Sequence, residues 1–392
     1  MIQMKKKKLR FVFAGGGTGG HIYPGLAIAD ELRLILDEKS DEETNYEIIW
    51  FGNSSGMDKK LVLESASVDS FVGIPSGKLR RYVSIKNFFD AFKIIAGFFC
   101  SLFALIRFRP VALFSKGGFV SVPPCVAARL LKIPVLTHEC DFTPGLATKI
   151  NARFAKKILV SYKETLDFFP QKLKSRVLVT GNPVRPAFYS ADKKKGLDFL
   201  FSTRTDFDSA KPILLVLGGS LGARQINVLV AQNIAWLTAN FNVVHQCGAN
   251  DEETMPKNVS GYFLHPFIYK EMPDVISCAD VVLSRAGANS IWECAVLAKP
   301  LVLIPLSGSG TRGDQVDNAK FFEKSGAAKV LLKNDVNDSN LKAALESFLE
   351  SSVREAFSKN SHALAVLSEN NEGRPAKKIA SILLNEINGA KK

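Results

Sequence analysis

The stretch Leu9-Arg-Phe-Val-Phe-Ala14 runs straight into Gly15-Gly-Gly-Thr-Gly-Gly-His21 and then into an apolar-periodic segment from Pro24 to Leu36. It reads as a strand, a glycine loop and a helix in immediate succession. The succession returns in the second half as Pro212-Ile-Leu-Leu-Val-Leu217, then Gly218-Gly-Ser-Leu-Gly-Ala223, then a helix from Arg224 to Leu237. Glycine removes the Cβ that would hold a backbone away from a pyrophosphate, and the following helix offers unpaired N–H groups and the positive end of its dipole. Two such halves point to a ligand held between two domains.

A chain of 392 residues exceeds what one core usually serves, and two domains of about 180 to 200 residues are the natural division. The net charge of +13 is unevenly spread: residues 1–185 carry 28 Lys/Arg against 16 Asp/Glu, and residues 186–392 carry 23 against 22. A basic first half suits a polyanionic neighbour, either nucleic acid or an anionic membrane surface, beside the plainer reading of a soluble basic surface. Cys100, Cys125, Cys140, Cys247, Cys278 and Cys294 show no CxxC or Cys/His metal spacing, which favours reduced cytosolic thiols. Asp206-Phe-Asp208 resembles a metal-binding DxD only superficially. Met1-Ile-Gln-Met-Lys5-Lys-Lys-Lys8 passes directly into the first strand, leaving no cleavable apolar region, which argues against a signal peptide.

Short β-branched runs alternate with longer helical patterns throughout, as parallel sheets with crossover helices require. The expected strands are 47–51, 111–115, 134–138, 158–161 and 177–180 in the first half, and 213–217, 242–246, 281–284 and 301–305 in the second. Gly181-Asn-Pro-Val-Arg185-Pro186 punctuates the change in charge and is the expected linker, giving domains 1–185 and 186–392. A last helix, about 373–390, is free to pack back on the first domain. Lys193–Lys195 and Asp206–Lys211 read as solvated loops.

Lys78 to Arg109 has cationic ends around a core rich in phenylalanine and isoleucine. Its longest uncharged run, Ile94 to Ile106, is too short to span a bilayer, which takes about 20 residues. Two readings stand for it: a helix lying at an anionic lipid surface, with Phe88, Phe89 and Phe92 as contacts, or a core helix packed on the sheet.

Gly15-x-Gly17-x-x-Gly20 formally matches the dinucleotide fingerprint, which calls for an acidic residue ending the second strand. That strand ends Phe51-Gly-Asn-Ser54, with no carboxylate where a ribose would need one. No Walker GxxxxGK[ST] occurs either, which argues against nucleoside triphosphate hydrolysis. A nucleotide-sugar or similar diphosphate is the better candidate.

Gly16-Gly-Thr-Gly-Gly-His21 with Pro24-Gly-Leu-Ala27, Gly117-Gly-Phe-Val-Ser121, His138-Glu139, Gly181-Asn-Pro-Val-Arg185, Gly218-Gly-Ser-Leu-Gly-Ala223 and Arg285-Ala-Gly-Ala-Asn-Ser-Ile-Trp-Glu293 stand here in order, and in that order the chain resembles the MurG glycosyltransferases over nearly its whole length. The resemblance implies an α/β chain with a GT-B fold, two Rossmann-like domains with parallel sheets facing across a cleft. It implies inverting transfer of N-acetylglucosamine from UDP-GlcNAc to the muramyl 4-hydroxyl of lipid I, making lipid II for peptidoglycan. It further implies no cofactor, no metal and no nucleic-acid partner, with anionic inner-membrane lipids contacted from the cytoplasmic face by a peripheral protein.

The resemblance also implies roles for single residues. Gly16, Gly17, Thr18, Gly19 and Gly20, with Gly117 and Gly118, would receive the acceptor diphosphate, and His21 is a candidate general base, or else positions a phosphate or caps the helix. Ser220 in the second loop would hold the donor diphosphate, Glu293 the ribose hydroxyls, Phe267 and the Ile268 backbone the uracil, and Gln315 the sugar. Thr18, Gly19, Gly20, Asp141 and Arg185 are further candidate donor contacts. His138-Glu139 is a polar pair aimed at the same cleft, with a purely structural His138 as the other reading. Many members read His-Glu-Gln-Asn where this chain has His138-Glu-Cys-Asp141, and paired glutamines where it has Asp314-Gln315. The alternatives are a relative acting on another lipid acceptor, a UDP-sugar epimerase, and a non-catalytic adaptor.

Overall fold

A computed structural model describes residues 8–39, 45–77, 85–202, 204–219, 222–308, 312–369 and 373–389. The chain forms two compact units, one of Met1–Pro186 with Ser368–Lys392 and the other of Ala187–Leu367.

Among the described residues the first unit holds seven strands: β1 (Leu9–Gly15), β2 (Tyr46–Asn53), β3 (Ser70–Ile74), β4 (Ala112–Gly117), β5 (Val135–Glu139), β6 (Lys157–Val160) and β7 (Val177–Val179). They form one parallel sheet in the order β3-β2-β1-β4-β5-β6-β7. These strands are near-continuous apolar runs because helices cover both faces. Phe11, Phe13, Trp50, Phe114 and Leu136 face the helix Tyr23–Lys39 and the last helix, Pro375–Gly389. Val12, Phe51, Leu113, Val135 and Ile158 face the helices Ile85–Phe108 and Val122–Leu130.

The second unit holds β8 (Ile213–Leu217), β9 (Asn242–Gln246), β10 (Tyr262–His265), β11 (Val281–Ser284), β12 (Leu301–Leu303) and β13 (Ala328–Val330). They are parallel in the order β10-β9-β8-β11-β12-β13, the Rossmann order. In each sheet the order reverses beside the strand that leads into a glycine loop: between β1 and β4, and between β8 and β11. Ligands of open α/β sheets bind outside the carboxyl ends of the strands at such a point.

Several sequence expectations need correction. Strands β3, β10 and β13 were not foreseen, since they are short edge or near-edge strands with weak alternation. Lys193–Lys195 is no loop but the start of a helix, Lys193–Phe201, whose first N–H groups are capped by the Asp192 carboxylate. The helix after the second glycine loop breaks at Asn233, whose amide donates to the Leu229 carbonyl and to Asp338 and so competes with the helical ladder.

The helix Ile85–Phe108 has one face in the core, with Gly97, Ser101 and Leu105 buried, while Phe92, Ile95, Phe99, Phe103 and Ile106 form an exposed stripe. By length and composition Asp90–Phe108 is long and apolar enough to cross a membrane. Counting only the uncharged run underestimated it, because Lys93 and Arg107 lie near the ends of the helical span. The buried inner face ties it to the sheet instead. The side chains of Phe88 and Phe89 lie outside the described residues.

The last helix completes the first unit by burying Ile379, Ala380 and Leu383 and by placing Glu386 against Lys156 and Lys157 at 2.5 and 3.0 Å. Because Leu383 lies in a closed core, Leu383→Ala is expected to destabilise the first unit by about 2–5 kcal/mol in a denaturant titration; an unchanged midpoint would show that the helix contributes nothing to that core.

Candidate active site: two switch-point glycine loops

In the first unit the loops after β1 and β4 are neighbours, since Gly15 pairs with Gly117 in the sheet. A Cβ on Gly118 would lie 2.9 Å from both the Gly16 carbonyl oxygen and the His21 ring, so the loops touch at a distance only glycine permits. Trp50 fixes the entry: its indole N–H donates to the Gly15 carbonyl at 2.9 Å, and its ring lies where a Cβ on Gly25 would be. Ser115, Ser121 and Asn151 fix the second loop. Asn151 donates to both hydroxyls at 3.0 and 2.8 Å, and the Ser121 hydroxyl donates to the Gly118 carbonyl at 2.8 Å. His21 therefore stands at the meeting of the two loops, its imidazole against Gly117 and Gly118.

A carboxylate does stand near this loop, although the sequence offered none at the end of β2. Asp58, five positions beyond Asn53, turns back rather than outward. It accepts the Gly17 N–H at 3.0 Å and the Asn53 N–H at 2.8 Å. The second glycine of the fingerprint has thus committed to a resident carboxylate the N–H that a bound pyrophosphate would approach. Burial raises the Asp58 carboxyl above the ordinary aspartate range, against the opposing pull of the Asn53 and Gly17 N–H groups.

His138-Glu139 lies buried behind the loops. His138 is wholly buried and its Nε2 faces the Gly181 carbonyl at 3.1 Å. Burial, with the charge of Lys116, keeps its imidazole well below the ordinary histidine value, hence neutral. Glu139 accepts from the Asp141 N–H (3.1 Å), the Gly145 N–H (2.9 Å) and the Thr148 hydroxyl (2.6 Å), shaping the loop between β5 and the helix Leu146–Asn151.

Lys116, immediately before Gly117, is buried with them and was not singled out by the sequence. Burial alone would lower its ammonium, but Cys140, Glu139 and Asp141 outweigh that and raise it. In return, although burial opposes it, Lys116 holds the Glu139 carboxyl low. The Asp141 departure from the family pattern therefore has a cation to answer it. Arg185 lies on this unit, its guanidinium 4.9 Å over the Tyr23 ring, and Tyr23 in turn lies against Gly19.

In the second unit the loop after β8 is drawn tight. Gly219 and Gly222 have φ of +81° and +79°, and a Cβ on Gly222 would fall 2.4 Å from the Cys247 carbonyl oxygen. Ser220 lies outside the described residues. Asn227, on the helix Arg224–Gln232, donates to that same carbonyl at 2.8 Å and to Asp251 at 2.7 Å, which leaves its Oδ1 to accept from His245 Nε2 at 3.0 Å. His245 Nδ1 then accepts from the Tyr262 hydroxyl at 2.8 Å. No sequence signal marked this neutral network, because its members lie on three separate elements.

Glu293 is half-buried on the second turn of the helix Ala288–Val296, which starts at the carboxyl end of β11. Phe267 is exposed and stacks on Tyr269, while Ile268 is buried. The Ile268 N–H is donated to Gln246 Oε1 at 2.8 Å, so what this backbone can offer a base edge is its carbonyl. The Gln315 Oε1 likewise accepts the Leu306 N–H at 2.9 Å, so what this side chain has left to offer is its amide N–H groups, and Asp314 pairs with Arg312. Asp206 and Asp208 cap turns, accepting the Gly261 and Ala210 N–H groups.

Two Rossmann-like sheets, each with a glycine loop at its switch point, make this a protein of the GT-B fold. The Glycosyltransferase family 28 N-terminal domain matches residues 11–160 and the family 28 C-terminal domain residues 213–375. A UDP-N-acetylglucosamine--N-acetylmuramyl-(pentapeptide) pyrophosphoryl-undecaprenol N-acetylglucosamine transferase of Treponema denticola is 51% identical over 83% of this chain and 84% of its own. The crystal structure of Acinetobacter baumannii MurG aligns over 97% of this chain and 99% of its own, with a TM-score of 0.69 and 24% identity. A UDP-GlcNAc 2-epimerase from Neisseria meningitidis aligns over 98% and 100%, with a TM-score of 0.63 and 15% identity, a likeness of fold alone. The chain belongs to the MurG family of glycosyltransferases.

The buried network gives the second unit a pH signature. Burial lowers His245 from 6.5 to about 4, so between these values the unfolded chain binds a proton that the native imidazole refuses. Its contribution is whole above pH 6.5 and is lost as the pH falls toward 4, by about 3 kcal/mol. Denaturation at a series of pH values should show that slope flattened in His245→Asn; an unaltered slope would refute the assignment.

Proposed function

We propose that this chain is an inverting glycosyltransferase that moves N-acetylglucosamine from UDP-GlcNAc to the 4-hydroxyl of the N-acetylmuramyl sugar of lipid I, forming lipid II for peptidoglycan. The observation that carries the reading is the 51% identity, over 83% of this chain, to a transferase of that name.

In this mechanism the acceptor diphosphate lies along Gly16–Gly20 and Gly117–Gly118. His21 takes the proton of the 4-hydroxyl as that oxygen attacks C1 of the donor sugar. The C1–O bond to the diphosphate breaks on the opposite face, and its electron pair leaves with UDP, inverting the centre. Ser220 and the 218–223 loop, with the helix Arg224–Gln232 behind them, stabilise the charge gathering on the departing diphosphate. Glu293 accepts from the ribose hydroxyls, Phe267 and the Ile268 carbonyl border the uracil, and Gln315 donates to the sugar. Asp141, Thr18 and Arg185 complete the polar surround. The reading of His21 as base is supported by its position at the junction of both acceptor loops.

The protein works, on this reading, as a peripheral protein at the cytoplasmic face of the bacterial plasma membrane. The exposed stripe of the helix Ile85–Phe108 supports this, since Phe92 and Phe103 are 57% and 66% exposed on a face whose opposite side is buried. Apolar side chains in such a row gain by entering the headgroup region of an anionic bilayer.

UDP release from UDP-GlcNAc tests the reaction. Release only in the presence of a lipid I analogue, with a disaccharide product, supports transfer; release without acceptor would point to an epimerase or hydrolase. His21→Ala should lower kcat by on the order of 100-fold or more with donor affinity unchanged, and undiminished turnover would remove His21 from the mechanism. Replacing Phe92, Phe99 and Phe103 by Ser should abolish most sedimentation with anionic vesicles while UDP-GlcNAc binding persists; sedimentation equal to wild type would assign the stripe another role.

A further inference from the structure

Asp58 is a buried carboxylate with an unusual set of partners. It is 1% exposed, and among the described residues no lysine or arginine pairs with it. Backbone N–H groups hold it instead: Gly17 N–H reaches both carboxylate oxygens at 3.0 Å and Asn53 N–H reaches Oδ2 at 2.8 Å. A carboxylate is removed from water at a cost of several kcal/mol unless hydrogen bonds replace its hydration, so a site that keeps one without a cation constrains the donors strongly. The fit is close from the other side as well. A Cβ on Gly16 would stand 1.8 Å from Oδ2 and 2.9 Å from Cγ, and Gly17 adopts a φ of +86° that turns its N–H toward the carboxylate.

The contact reaches the reacting group in two short steps. Gly16 and Gly17 are pinned by Asp58, the Gly16 carbonyl lies against Gly118, and Gly118 lies against the His21 ring. Position, charge and burial of Asp58 thus determine where the first loop runs and where the imidazole rests.

We propose that Asp58 is a positioning residue for acceptor transfer: its carboxylate acts as a resident anion that holds the Gly16–Gly17 backbone turned inward and thereby sets the acceptor loop and His21. The inference rests on the reading of that loop as the acceptor site. Asparagine at this position keeps the size but loses the charge, and with its oxygen in the place of Oδ2 it sets an NH2 where Oδ1 accepted the Gly17 N–H at 3.0 Å, donor against donor. Displacement of a positioned group by even 1 Å costs up to about 100-fold.

The test is steady-state kinetics of the full chain with UDP-GlcNAc and a lipid I analogue, with UDP-GlcNAc affinity measured separately by calorimetry. Asp58→Asn should lower kcat/KM for the acceptor on the order of 10- to 100-fold while donor affinity stays within about twofold of wild type. Asp58→Glu, which retains the charge, should recover part of the loss. Gly16→Ala, which drives a methyl group into the carboxylate within the acceptor loop itself, should also lower acceptor kcat/KM, and Asp58→Glu separates the part owed to the carboxylate. A part that merely holds the fold together would move stability and both substrates alike, so equal losses for donor and acceptor overturn the proposal, as does an Asp58→Asn enzyme with wild-type acceptor kinetics. If Asp58→Asn does not fold, Asp58→Glu and Gly16→Ala decide between the same outcomes. A wild-type chain that ignores the lipid I analogue defeats the underlying acceptor reading first, whatever the variants do.

Discussion

A group of close approaches in the first unit gathers where two loops leave the sheet, and several fixed anchors serve to make them possible. Gly118 against Gly16 and His21, Gly16 against Asp58, and Gly25 against Trp50 are contacts that one added methyl would break. Each demands that the loops begin from fixed points. Strand pairing of Gly15 with Gly117 supplies one, the Trp50 indole on the Gly15 carbonyl a second, and the Asn151 amide on Ser115 and Ser121 a third. The sheet is the rigid element, and the glycines are the places where its two central loops are allowed to meet.

The two units solve the same problem with different chemistry. Behind its loops the first unit buries charge: Lys116 among Glu139, Cys140 and Asp141, with a neutral His138 alongside. Removing either member of such a group leaves the other buried and uncompensated. The Asp141 carboxylate thus meets a buried ammonium. The second unit buries neutral groups in a chain of hydrogen bonds from Tyr262 through His245 to Asn227 and the Cys247 carbonyl. Its charged neighbour is Asp251, which accepts from Asn227 at 2.7 Å, and every member of the network must be satisfied.

The parallel sheets, most of their strands and both glycine loops were legible in the sequence, because continuous apolar runs and glycine clusters are local signals. The edges were not: β3, β10 and β13 take their strand conformation from a neighbour more than from their own pattern. The helical start at Lys193 was hidden by its charges, although Asp192 before it was a readable cap. Among site residues, His21 and Glu293 could be named from motifs. Asp58, Lys116, Asn151 and Asn227 could not, since each acts on a segment distant in the chain and nothing beside it in sequence marks the partner. The backbone bonds of Ile268 and Gln315 were equally invisible, because they depend on where Gln246 and Leu306 come to lie.

The last helix belongs to the first unit although the whole second unit is threaded between them. During synthesis the second unit emerges as an unbroken segment, with all its strands in hand before the chain returns. The first unit must wait for residues 368 onward, on the order of ten to forty seconds at ordinary translation rates. Throughout that interval the sheet face bearing Phe13, Phe114 and Leu136 lacks the cover that Ile379, Ala380 and Leu383 later give it. The nascent protein therefore carries a sticky, half-roofed sheet while its other half matures, and the ribosome's neighbourhood, with its folding helpers, becomes part of the route by which this enzyme is made.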